Sequence, residues 1–162
     1  MDLPRIGLLT AALGLWVSSA PAQTIQPARC LHGPNETQMQ AQRRYDALDA
    51  ADLINRAIDR RPRASAYPRW DELAKSPAVS SFRAIAGARG DLARKMEWGA
   101  DEPLPGWSIH YVAAQDGYAF SLTDVRDPCQ LTFASNDSAV IIEGRPADYR
   151  GRVRTIPLDS TH

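Results

Sequence analysis

Only two of the 162 residues are lysine, Lys75 and Lys95, and only two are cysteine, Cys30 and Cys129. Neither sign of charge is in excess: 19 basic residues face 19 acidic ones, which removes a net electrostatic reason to seek nucleic acid or an anionic membrane. Histidine is sparse and scattered. His32, His110 and His162 have no second ligand at metal spacing, and a zinc site needs three or four convergent ligands, so neither a metal nor another cofactor is expected. Ser108 and Ser121 lie near His110 in sequence, but no Gly-x-Ser-x-Gly elbow and no positioned acid accompany them, so no catalytic residue is assigned. A glycine-rich phosphate loop is missing, as are internal repeats and low-complexity tracts. Apolar runs stop well short of the roughly 20 residues that cross a bilayer.

What the chain does carry begins at its first residues. Arg5 and the amino terminus precede an apolar run over 6–17 and then small residues, the layout of a secretory signal peptide, although Asp2 weakens its positive start. Ala20-Pro21-Ala22 offers the small-x-small pattern, so cleavage is expected before Gln23. Export gives the two cysteines a meaning. An even count in an exported chain favours a disulfide, and one pairing exists, Cys30 with Cys129; its loop of about 100 residues would stabilise the fold by roughly 4 to 5 kcal/mol in the chain-entropy model. Lipidation of Cys30 is disfavoured because Gln26-Pro27-Ala28-Arg29 lacks the small apolar residues of a lipobox. Arginine in place of lysine, with abundant alanine and proline, fits a bacterial coding bias, so export would lead to the periplasm or to secretion.

Residues 35–61 contain neither Gly nor Pro, and Ala41, Leu48, Ala51 and Ile58, flanked by Tyr45, Ala47 and Ile54, recur at helical spacing. The reading is one long amphipathic helix, capped at Asn35 or Thr37, favoured at its end by Arg60 and Arg61 and stopped by Pro62. Shorter helices are expected near Trp70, from Ser76-Pro77 to Gly87, and over 91–98. Beyond the Pro-rich segment 101–106 the apolar period changes to two. Trp107, Ile109 and Tyr111, a turn at Gln115-Asp116-Gly117, then Tyr118, Phe120 and Leu122 make a β-hairpin; Leu131 with Phe133 and 140–142 add two strands. The expected fold is α+β, a long N-terminal helix and short helices packed on a C-terminal antiparallel meander of three to four strands. The division is a signal peptide over 1–22, a single domain over 23–146 and a flexible tail over 147–162.

Three strings, Tyr67-Pro68-Arg69-Trp70-Asp71-Glu72-Leu73, Leu104-Pro105-Gly106-Trp107-Ser108-Ile109-His110-Tyr111 and Gly117-Tyr118-Ala119-Phe120-Ser121-Leu122-Thr123-Asp124, stand in an order that resembles the globular part of type IV pilins and type II secretion pseudopilins. Ser138-Ala139-Val140-Ile141-Ile142 sits where such proteins carry a late apolar strand. The resemblance covers roughly 43–146 and implies a pilin-like fold. It departs from the family at the start, where an ordinary leader replaces the prepilin peptidase site and the long apolar helix that packs in a filament core.

The functional expectation is therefore an exported, non-enzymatic protein that binds or assembles with another cell-envelope protein. A small periplasmic inhibitor, a ligand-binding protein or a hydrolase is the alternative. Tyr67, Trp70 and Trp98, in the loops flanking the helices, are the expected interface aromatics, since aromatics anchor interfaces. Asp124, Asp127 and Asp137 are read as turn formers, with calcium as the rival reading borrowed from pseudopilins. Arg145, Arg150, Arg152 and Arg154 form a basic tail that is either solvated or set against an acidic partner.

Overall fold

A computed structural model describes residues 29–62, 65–145 and the strand at 154–156. The expected leader over 1–22 lies outside these residues. Thr37 opens helix α1, Gln38–Asp59, with a reciprocal cap: its hydroxyl accepts from the Gln40 amide while the Gln40 side chain accepts from the Thr37 amide. The buried face of α1 is mostly small, Ala47, Ala50, Ala51 and Ala57, with Leu53, Ile54 and Ile58 supplying volume. Small side chains let the packed elements approach closely. Three short helices follow: α2, Trp70–Leu73; α3, Pro77–Ala84; and α4, Ala88–Lys95. Ser76 caps α3, whose first residue is Pro77, where a missing N–H costs nothing. The last helix begins three residues before its expected position, because Gly87, at φ +92°, turns the chain into α4 as well as out of α3.

The second half is a meander. Strands β1, Trp107–Ala113; β2, Tyr118–Asp124; β3, Thr132–Asn136; β4, Ile141–Gly144; and β5, Arg154–Ile156, pair antiparallel in chain order. The class is thus α+β, and the sheet has five strands where three or four are expected. The fifth falls within 147–162, where the sequence pattern offers no element; it pairs Ile141 with Ile156. The alternation along β1 to β3 turns Trp107, Ile109, Tyr118, Phe120, Leu122 and Phe133 inward, and Trp107 stacks on Phe133 at 5.7 Å. These side chains meet α1 mainly at β3. No helix among the described residues is long and apolar enough to cross a membrane.

Tyr118 fastens the two layers. Its hydroxyl donates to Asn55 Oδ1 (2.9 Å), and Asn55 Nδ2 donates to the Ala139 carbonyl (3.2 Å) in the β3–β4 turn. Both polar groups are buried, so each needs the other.

Candidate functional site

Cys30 and Cys129 form a disulfide, Cα atoms 5.2 Å apart, which ties the segment ahead of α1 to the turn before β3. A disulfide is a weak mark of an oxidising compartment. Beside it, Asp127 takes three backbone donors on one carboxylate: Oδ1 accepts from Leu31 (2.9 Å) and Cys129 (3.1 Å), and Oδ2 from Leu131 (3.2 Å). Burial alone would push the Asp127 carboxyl up, but these N–H groups prevail and hold it below the usual carboxylate range.

The chain from Leu31 then drops His32 into the core against Trp107, ring centroids 5.9 Å apart. Its Nδ1 lies 2.6 Å from Glu36 Oε1 and its Nε2 2.9 Å from Asp124 Oδ2. Arg43 approaches Asp124 Oδ1 at 3.3 Å, and Arg44 approaches both Glu36 oxygens at 3.2 Å. Desolvation raises the Glu36 carboxyl, yet the bonds from His32 and Arg44 outweigh it and its net position is lowered. The Arg145 guanidinium closes the segment by donating to the His32 carbonyl.

This Glu36–His32–Asp124 array resembles acid–base machinery in its residue types only. Both imidazole nitrogens are committed to carboxylates, and the residue is 2% exposed, so no lone pair reaches a substrate or a metal. It acts as a strut. Asp124, Asp127 and Asp137 do not converge on a common point. Among the described residues the one cluster of metal-capable groups is Cys30, Cys129 and Asp127, where the sulfurs are joined and both carboxylate oxygens hold amides. His110 and Ser121 face one another across β1 and β2 with no hydrogen bond between their side chains.

The three expected interface aromatics fare differently. Trp98 is buried, and its indole N–H donates to the Ala93 carbonyl (3.0 Å), so it is a core residue with no face to offer; its place behind α4, closed by Gly99, corrects the loop-exposed reading. Trp70 is half-buried, donates to the Ala100 carbonyl (2.8 Å) and packs against Trp98 and Tyr111, both at 5.8 Å. Tyr67 is half-buried too, between Tyr118 at 5.3 Å and the Arg61 guanidinium, 3.5 Å above its ring. No family model, curated protein or solved structure matches this chain.

Two cavities on the surface bear on binding. One is a cavity of about 680 Å³ between Arg61, 65–67 and 113–116, at the end of β1. The other is a groove of about 460 Å³ between α1, α4 and the segment before β1, floored by Leu92, Leu104 and Trp107 and rimmed by Arg43, Asp46, Lys95 and Arg126. Arg61 carries no binding signal in the sequence, because an arginine at a helix end is explained by the helix dipole alone. Its position over Tyr67 is a tertiary contact, for which no local pattern speaks.

Proposed function

We propose that this chain is an exported, non-enzymatic protein with a pilin-like body, periplasmic or secreted, that binds another protein of the cell envelope. The observation that carries this reading is the edge of the sheet. Beyond Ile109 the outer edge of β1 has no backbone partner among the described residues, and an unpaired strand edge is a template for another chain. The sealed histidine strut supports the same reading, because both nitrogens of the buried His32 ring are held by carboxylates. The resemblance to pilin globular parts supports a partner in the cell envelope.

The test is crosslinking of the tagged, disulfide-closed chain in an envelope extract of its own host. One partner recovered in stoichiometric amount is expected; recovery of none, or turnover of a substrate that is lost on His110→Ala, overturns the reading. Small-ligand binding is the second reading, favoured by the 460 Å³ groove, whose size lies within the range of ligand pockets. It would appear as a ligand-dependent rise in Tm.

A further inference from the structure

Resting on the protein-binding reading, we infer that the partner is captured by β-strand addition: an extended acidic segment of it pairs with the outer edge of β1 at Tyr111 and Ala113 and sets a carboxylate against Arg61.

The direction of the backbone groups follows from the strand's own bonds. The Ile109 amide donates away from β2, to the Asp101 carbonyl (2.8 Å), and the Trp107 amide donates to the Leu104 carbonyl (2.9 Å). In an antiparallel strand alternate residues point their N–H and C=O to the same side, so Tyr111 and Ala113 point outward with Ile109, while His110 and Val112 point to β2. The Ala114 amide, bonded to the Gly117 carbonyl (2.8 Å) inside the hairpin, agrees with this phase. The first half of the edge is therefore closed by the protein's own 101–104 segment. The second half is open: among the described residues Tyr111 and Ala113 have no outer backbone partner.

Open edges are usually blunted by lysine, proline, a bulge or a covering loop. Here 110–113 reads His-Tyr-Val-Ala, and Val112 is exposed. The residue types of an occupant are set by what lies beside this edge. The cavity of about 680 Å³ begins where the open half ends, at Ala113, and Arg61 and Tyr67 form its opposite wall. Among the described residues Arg61 has no carboxylate partner, and its Nε is buried without a hydrogen bond. Stacking on Tyr67 holds the guanidinium flat, leaving its edge for planar, bidentate recognition of a carboxylate. Asp116 is exposed on the same cavity and is not ion-paired with Arg61, so it sets a limit on how many negative charges the segment can bring. Backbone pairing would supply affinity, and the Arg61 contact selection among sequences.

The probe is a short labelled peptide of alternating Val and Thr with one central Asp, beside a control with Asn in its place, added to the full disulfide-closed chain. Hydrogen exchange at the Tyr111 and Ala113 amides should slow about tenfold in the complex, while amides facing β2 keep their rates. Ala113→Pro removes an outward donor without touching the β2 ladder, and should abolish binding with the far-ultraviolet spectrum and Tm retained. Arg61→Gln should bring the Asp peptide down to the level of the Asn control. Equal binding by wild type and Ala113→Pro overturns the inference, as does protection at other strands or protection that arises without peptide through self-association. An envelope partner that still crosslinks to Ala113→Pro refutes strand addition and leaves the protein-binding reading standing; failure of wild type to find any partner refutes the reading itself.

Discussion

At the residue scale the informative positions are buried polar ones. His32 sits between two carboxylates that would otherwise repel, and breaking such an arrangement from one side leaves uncompensated charge. His32→Leu should therefore destabilise the fold by about 3 kcal/mol, the low end for a buried pair because Arg43 and Arg44 still face the two acids. Urea denaturation with the disulfide intact measures this, and an unchanged midpoint would show the histidine to be a passive filler. The carboxylates also set an acid limit. Glu36 and Asp127 are held low in the folded state, so each contributes stability that is present above its unfolded value and lost as pH falls through the folded one. Melting temperature should fall below about pH 4, more shallowly in Asp127→Asn. At the alkaline end, burial pushes the Tyr111 hydroxyl up to about 12 and Tyr118 further, so folding should delay tyrosinate absorbance relative to the unfolded chain.

Elements of this protein are specified by local chemistry to different degrees. The Thr37 and Ser76 caps and the Gly87 turn are written in two or three adjacent residues, and they fix where α1, α3 and α4 begin. Packing between elements is less local. Gly90, buried inside α4, backs directly on the Ile85 carbonyl, so a methyl group there would collide with backbone. Gly90→Ala should cost about 1 to 3 kcal/mol despite the better helix propensity of alanine, as an overpacked site does. Thermal denaturation beside Ala88→Gly, at an exposed α4 position, separates the steric effect from the propensity effect.

The whole molecule is closed by a cross-link between residues 99 apart in sequence. Replacing both cysteines by serine should lower stability by about 4 kcal/mol through the freed unfolded chain. The loss should be felt first at the strap ahead of α1. Amide exchange at Leu31, held by Asp127, is the local reporter; if it stays as slow as in the intact protein, the carboxylate clamp secures the strap without the cross-link.

The class and the inward face were legible in residue order, because periods of 3.6 and 2 are local properties and burial follows them. Trp107, Phe120, Leu122 and Phe133 point inward as their alternation requires. The Ser76 cap and the partner of each cysteine were legible for the same reason, a short pattern and a single possible pairing, whereas the α1 cap lay between Asn35 and Thr37 and the structure selects Thr37. Tertiary structure alone decided the rest. His32 looks isolated in the sequence because its partner Asp124 is 92 residues away. Trp98 reads as a loop aromatic until Gly99 and α4 fold it under. Which half of β1 stays open depends on where the 101–104 segment returns, a contact across space that no periodicity encodes.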